Sequence, residues 1–256
     1  EFDLANKENL KKLPTNIDLV LHLAGQSSGE ISFENPIVDL EKNTVSTLNL
    51  IDFSIINSVE KLIYASSMSV YGEVPDMPIS EDLIARPLSC YGVGKLCSEN
   101  YLKVFQENIN SISMRMFNVY GPGQDLTNMK QGMLSIYISQ ALKNKKIQVK
   151  GSIDRFRDFI HIDDMVDAWI KASLNEEVKN GVFNVASGKK TKVSDILGII
   201  NKKLINVPVE ILEGTPGDQY GIYADISLIK KKLNFLPTKD IEEGIFEFID
   251  WCQVGT

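Results

Sequence analysis

Residues 61–72 read KLIYASSMSVYG, and the fold turns on how these twelve are read. KLIYASS (61–67) is an apolar run too short for a helix, which makes it a strand, and its polar tail closes that strand. Working outward, DLVLHLAG (18–25) reads as another buried strand. Residues 35–57, between the two, read as a helix with Ile37, Leu40, Val45, Leu48 and Ile51 along one side. Downstream, a helix starts near Cys90 and runs to about Phe105, and SISMRMF (111–117) is a third strand. Strands alternating with helices predict parallel pairing through right-handed crossovers, with helices on both faces of the sheet. After NVYGPGQ (118–124) the pattern is less regular. It predicts helices at 131–143, 163–175, 192–204, 226–233 and 240–252, and strands at 146–150, 182–186 and 208–212.

A chain of 256 residues with 43% apolar content can bury a large core, as one domain or two interleaved ones. Its net charge of −7 argues against a nucleic-acid partner, which needs a basic face. No apolar run approaches the roughly 20 residues of a membrane span, and no leader pattern opens the chain. A soluble, cytoplasmic protein without a membrane partner is expected. Cys90 and Cys97, seven positions apart, would stand roughly 10 Å apart along one helix, too far to bridge. Free thiols in a reducing compartment fit best. Two histidines, His22 and His161, and three scattered cysteines offer no metal-ligand spacing. No metal is expected, and both histidines are read as structural. Two of the four arginines fall within DRFRDF (154–159), an unusual concentration.

In SCYGVGKLCSENYL (89–102), Tyr91 and Lys95 stand four positions apart and so share one helix face. Spacing alone carries little. Eight tyrosines and 23 lysines (27 basic residues less four arginines) give about 0.7 such pairs by chance. An exposed helix pair is the plain alternative.

Five ordered segments shift that balance: HLAG (22–25), ASSMSVYG (65–72), YGVGK (91–95), RMFNVYGPGQ (115–124) and RDFIHIDDMVDA (157–168). Together they resemble the extended short-chain dehydrogenase/reductase family, and within it the NAD-dependent sugar-nucleotide epimerases and dehydratases, closest to UDP-glucose (UDP-galactose) 4-epimerase-like proteins. The resemblance covers nearly the whole chain. It implies an α/β fold: a Rossmann-like, doubly wound parallel sheet over residues 1–117, with a smaller α+β substrate-binding part over 118–256, interleaved with the first. A dinucleotide fold opens with a strand, a glycine-rich turn and a helix N-terminus. No such turn precedes the first strand here, so the expected sheet is an incomplete, N-terminally truncated one.

The resemblance makes Ser67, Tyr91 and Lys95 the catalytic set. The Lys95 ammonium would stabilise the Tyr91 phenolate and lower a pKa normally near 10, and a cationic nicotinamide would lower it further. Tyr91 would then take a sugar hydroxyl proton as hydride leaves the same carbon. Ser67, ending its strand where parallel-sheet sites lie, would hydrogen-bond that hydroxyl. The implied cofactor is NAD. Asp3 and Leu4 would meet the adenine. Leu23, Ala24, Gly25, Gln26 and Ser27 would line the pyrophosphate and ribose, the small residues allowing close backbone approach. Asn43, Ser66, Tyr91, Lys95 and Phe117 would add further cofactor contacts. A solvent-facing Asn43 and a core Phe117 are equal alternatives.

For the substrate, the implied contacts are Ser67, Ser69, Tyr91, Asn118, Arg157 and Asp218. Arg157 would offer its planar fork to phosphate oxygens, the alternative being an ion pair with Asp154 or Asp158. Of the two arginines, Arg155 is the one better read as merely a surface residue. Relatives that eliminate water or decarboxylate resemble T-D-E-V-Y-G or S-E-V-Y-G where this chain has Met68 and Ser69, without a carboxylate. Epimerisation is therefore favoured over elimination. Where many relatives read Arg-Pro-Gly-Asp, this chain has TPGD, with Thr215 in place of a second arginine. The usual Asn-Leu pair is also absent, residues 130–138 reading KQGMLSIYI. The implied activity is NAD-dependent epimerisation at C4 of a UDP-hexose through a 4-keto intermediate, in cell-surface polysaccharide supply. The alternatives are a 4,6-dehydratase, an NADPH-dependent reductase, or a dinucleotide- or nucleotide-sugar-binding protein without turnover. A homodimer through the helices at 35–57 and 90–105 is also implied.

Overall fold

The computed structural model describes residues 2–214 and 220–254. β1 (Leu19–His22) leads into three helical pieces, α1 (Gly29–Glu34), α2 (Pro36–Leu40) and α3 (Ser46–Ile56). β2 (Lys61–Ser67), α4 (Cys90–Val104) and β3 (Asn110–Met116) follow. Ser28, Asn35 and Ser89 each accept a hydrogen bond from an early helical N–H, and Pro36 fills the first position of α2. Next come β4 (Asn118–Tyr120), α5 (Met133–Asn144), β5 (Ile147–Lys150), β6 (Phe156–Arg157), β7 (Phe159–His161) and α6 (Ile162–Leu174). The chain continues through β8 (Gly181–Val185), β9 (Thr191–Lys192), α7 (Val193–Leu204), β10 (Val209–Leu212), α8 (Ser227–Leu233) and α9 (Ile241–Val254). No helix among the described residues is long and apolar enough to cross a membrane.

The main sheet runs β1-β2-β3-β8, every pair parallel. Alternate residues of β2 serve opposite faces. Leu62 and Tyr64 pack with Leu50, Ile51, Phe53 and Leu102 of α3 and α4. Ile63 and Ala65 pack with Met165, Ala168, Trp169 and Leu233 of α6 and α8. The result is the doubly wound α/β arrangement. A separate core of Tyr137, Ile138, Ile147, Val149, Ile196, Ile200 and Phe248 gathers α5, α7 and α9 with the β5–β10 pair. Because α6, β8 and α8 return to the main sheet, the two parts share the chain after residue 117.

The structure departs from the sequence reading in three places. DLVLHLAG is strand only over Leu19–His22, and Leu21 and Leu23 are exposed; among the described residues β1 pairs with β2 alone. The helix expected over 35–57 is broken by a π-helical turn at Glu41–Val45. Of its apolar stripe only Ile51 is buried; Ile37 and Leu40 face solvent and Val45 and Leu48 are half-buried. The inward side instead carries Asp39, Asn43, Thr44, Ser46, Thr47 and Ser54. The facing helix explains this. α4 offers Gly94 and Ser98, and the contact is made by hydrogen bonds: Thr44 Oγ1 donates to Gly94 O at 3.2 Å and Ser98 Oγ to Asn43 O at 3.0 Å. The third departure is the short elements α1, β4, β6, β7 and β9, too brief to show a period.

A buried ion pair ties α4 to the sheet. Arg115 of β3 donates from Nε and Nη2 to the Glu99 carboxylate at 3.0 and 2.7 Å, and Ser66 Oγ of β2 donates to the same carboxylate. Arg115 Nη1 also donates to Tyr71 Oη at 2.9 Å, and that hydroxyl donates to Asn184 of β8 at 2.6 Å. The two charged side chains are only 7% and 4% exposed. Glu99→Ala leaves the guanidinium buried without its partner and is expected to cost about 3–5 kcal/mol. The readout is a lower urea midpoint at unchanged slope; a variant as stable as the parent would show the pair to be dispensable.

Candidate active site

β2 ends at Ser67, whose Oγ accepts from Ser69 N at 3.2 Å and so caps a single 3-10 turn over Met68–Val70. The same hydroxyl donates to Ser69 Oγ at 3.2 Å. α4 begins beside this turn. Ser89 caps it by accepting from Gly92 N at 3.1 Å, so Tyr91 falls in the first turn and Lys95 one turn later, both on the buried face. Gly92 permits the approach: a Cβ there would collide with the Ser69 carbonyl oxygen and sit 2.9 Å from Pro87 Cβ.

The expected trio converges. Ser67 lies close enough to the Tyr91 phenol for its hydroxyl to favour the phenolate. Lys95 Nζ donates to Ala65 O at 2.9 Å and lies over the rings of Tyr64 and Tyr91, at 4.9 and 5.6 Å from their centroids. The electrostatics differ from the expectation. Burial pushes the Tyr91 phenol up to about 12, the nearby Ser67 hydroxyl pulls it down, and the Asp39 carboxylate adds to the rise. Burial draws Lys95 down to about 8, against Asp39. Lys95 therefore does not by itself make Tyr91 acidic. Its ammonium bonds a carbonyl and lies over the phenol ring, while desolvation of the phenolate dominates.

The loop leaving β1 holds the residues expected to meet the cofactor. Leu23, Ala24, Gly25 and Ser27 are exposed and Gln26 is half-buried. A Cβ on Gly25 would fall 2.6 Å from Asn43 Oδ1. Asn43 is buried, which removes the solvent-facing alternative. Its Nδ2 donates to Asp39 Oδ1 at 3.0 Å, while its Oδ1 has no partner among the described residues. An orphaned acceptor beside an open, small-residue loop and a lysine fits a dinucleotide with its amide and hydroxyl donors. Asp3 and Leu4 lie beyond the π-helical turn: Asp3 pairs with Lys42 at 3.1 Å, and Leu4 O accepts from Asn49 Nδ2 at 2.9 Å.

Two expected cofactor side chains lie elsewhere. Ser66 is fully buried with its hydroxyl on Glu99, because alternation in β2 turns it away from Ser67. Phe117 is packed with Val70, Tyr71, Ile79 and Ala186 as a core aromatic.

A cleft of about 580 Å³ opens beside this turn, within the size range of small-molecule sites. It collects Ser27, Ser69, Asn118 and Arg157 from the expected set. Asn118 Nδ2 donates to Asp158 O at 3.0 Å, and Arg157 Nη1 to Phe156 O at 2.8 Å. The ion-pair alternatives for Arg157 do not form. Asp158 accepts from Ser187, Gly188 and Ala224, and Asp154 faces Lys192 at 3.5 Å. Arg155 is buried and lines the cleft, contrary to its expected surface position. Arg155, at the end of the turn before β6, and Arg157 within β6 both line the cleft. Tyr137, Gln140 and Gln148 also line the cleft without belonging to any motif. Asp218 and Thr215 lie outside the described residues.

His161, Asp163 and Glu247 bring ligand atoms within 4.8 Å of one another, a grouping that sequence spacing did not suggest. There Lys239 pairs with Glu247 at 2.9 Å. Asp39 was also missed, although it precedes Asn43 by four positions and so shares its helix face.

The sequence profile described as the NAD dependent epimerase/dehydratase family matches residues 1–186. A UDP-glucuronate 4-epimerase of Thermodesulfobacterium geofontis is 33% identical over 266 aligned residues, covering 99% of this chain and 78% of that protein. The structure of a Thermotoga maritima UDP-glucose 4-epimerase with UDP-glucose superposes at a TM-score of 0.94 and 28% identity, covering 100% of this chain and 84% of the other. A Methanobrevibacter ruminantium UDP-N-acetylglucosamine 4-epimerase superposes at 0.93 and 32% identity, covering 100% and 82%. The chain belongs to the NAD-dependent epimerase/dehydratase family, within the extended short-chain dehydrogenases/reductases.

Gly92→Ala is expected to push the Ser69 turn off α4. A stability loss of about 1–3 kcal/mol should appear in urea unfolding, and an unchanged midpoint would show that the contact relaxes freely.

Proposed function

We propose that this family member is a nucleotide-sugar 4-epimerase acting on a UDP-hexose. The observation that supports it is the convergence of Ser67, Tyr91 and Lys95 where β2 ends, next to a cleft that carries Ser69, Asn118 and Arg157. The proteins it resembles act on UDP-linked sugars at C4 by their names. Bound NAD supplies a hydride acceptor and donor of cationic oxidised form, restored with each turnover. The chain's own groups handle the proton. Tyr91 Oη accepts it from the C4 hydroxyl as that carbon is oxidised to the ketone, and returns it to the same oxygen once hydride has come back to the opposite face. Ser67 orients the hydroxyl. Lys95 holds positive charge near the phenolate, and Arg157 faces the phosphates.

Elimination of water is disfavoured by the lining. Among the described residues the only carboxylate of the cleft is Glu30, which faces Lys150 at 3.7 Å. A dehydratase would change the mass of the sugar and a reductase would consume NADPH absorbance; epimerisation does neither.

We place the contact between two copies on Ile37 and Leu40 of α2 with Val93, Tyr101 and Val104 of α4, an exposed apolar strip larger than single scattered side chains. Three free thiols, Cys90, Cys97 and Cys252, suit a reducing cytoplasm. Ile37→Glu is expected to convert dimer to monomer in sedimentation velocity; a parent that is already monomeric removes this assignment.

Tyr91→Phe should lower kcat for UDP-glucose to UDP-galactose conversion by about 10²–10⁴-fold with little change in KM, read by NMR of the sugar nucleotides. Activity at the parent's rate would overturn the proposed function. In the parent, loss of the Lys95 proton should end activity on the alkaline side near pH 8, since the ammonium is present below its pKa of about 8 and gone above it.

A further inference from the structure

One buried acid is left unused by the proton transfer just described. Asp39 of α2 is 2% exposed. Its Oδ1 accepts from Gln26 Nε2 at 2.7 Å and from Asn43 Nδ2 at 3.0 Å. Its Oδ2 points at α4 where that helix has no side chain: a Cβ built on Gly94 would lie 3.6 Å from Asp39 Oδ2 and 3.4 Å from Thr44 Oγ1. Gly94 is the residue immediately before Lys95 and three after Tyr91. The missing side chain thus lets a carboxylate pack against α4 beside the residue that precedes Lys95, without an ion-pair contact to the ammonium, and the only carboxylate on α2 occupies that place.

We propose that Asp39 is a positioning residue, the fixed counter-charge of the Lys95 ammonium and the anchor of the Gln26–Ser28 loop. This rests on Tyr91 and Lys95 being the acid–base pair. The loop half of the role follows from Gln26, whose Nε2 bridges Asp39 Oδ1 to Ser28 O at 2.7 Å on each side. The charge half follows from what else surrounds the pair. From β1, His22 faces Lys95 and is held neutral by burial, its pKa down to about 3. From β2, Tyr64 lies under the ammonium with its hydroxyl pushed upward by burial. Within α4, Glu99 is engaged by Arg115. On α1, Glu30 and Glu34 face Lys150 and Lys130 instead, and from the π-helical turn Lys42 pairs with Asp3. Among the described residues Asp39 is the anion left to act on the pair; it raises the pKa of both Tyr91 and Lys95, and burial raises its own.

The sign of the effect is distinctive. Removing the negative charge lowers the pKa of the Tyr91 phenol, which must lose its proton, and of Lys95, which must keep one. Both limbs of the kcat profile move to lower pH. For Asp39→Asn on the NAD-loaded protein with UDP-glucose, the expected shift is about 0.5–1 pH unit in each limb. Activity at acid pH, relative to the variant's own maximum, rises about 3–10-fold. Asp39→Glu keeps the charge and should keep both limbs in place. Asp39→Ser, neutral and smaller, carries the same expectation as the asparagine variant and serves where that one does not fold. A uniform fall in kcat with unmoved limbs would overturn the inference and leave Asp39 as packing. Tyr91→Phe separates the two claims: if it is inactive while Asp39→Asn leaves the limbs unmoved, the inference alone fails; if it stays active, the proposed function fails first.

Discussion

The distance between the end of β2 and the first turns of α4 governs everything at the cleft, and the Arg115–Glu99 pair sets it. Glu99 sits one helical turn beyond Lys95. It is gripped by Arg115 from β3 and by Ser66, the residue beside Ser67. A helix resting on apolar contacts alone could slide by a fraction of an ångström at small cost. A helix pinned by a forked charge contact with Tyr71 and Asn184 behind it is held to one register. The proton transfer proposed for Tyr91 would tolerate little error in distance, and that gives a buried pair of this kind a purpose beyond net stabilisation.

Burial is the second constraint, and it works against reactivity until a ligand arrives. Tyr91 and Lys95 are both enclosed. Enclosure favours the neutral form of each, so the phenol is a poor acid and the ammonium an easily lost one. The groups that counter this are few, and they differ between the two: the Ser67 hydroxyl and the positive charge of an oxidised cofactor act for the phenolate, and the Asp39 carboxylate acts for the ammonium alone. Such a site is quiet by default and becomes basic only when a cation is brought to it, which restrains side reactions with solvent.

Much of the fold was legible because its strands and helices are long enough to show a period. KLIYASS is strand over the residues expected, and α4, α6 and α7 begin within one residue of their expected starts. That Tyr91 and Lys95 share a buried helix face was legible from their four-residue spacing, whereas singling them out as candidates took the ordered motifs around them. The apolar stripe Ile37, Leu40, Val45 and Leu48 was a correct period assigned to the wrong side. A pattern of apolar residues says that a face seeks cover, not whether the sheet or another surface supplies it. Small polar residues packed against Gly94 and Ser98 carry no such pattern, so the real inward face was hidden. Tyr137, Gln140 and Gln148 were invisible because they meet only after α5 and β5 have folded together.

The π-helical turn at Glu41–Val45 carries one more implication, for how this gene can vary. It holds one residue more than a regular helix needs, and that surplus sets the angular offset between Asp39 and α3. Loss of a single codon there would restore an ordinary helix, yet it would swing everything before it by about 100° about the axis. The carboxylate would leave the gap at Gly94 and hydrocarbon would turn into the polar seam. A change of length in this short segment therefore disturbs the packing more than a change of identity does.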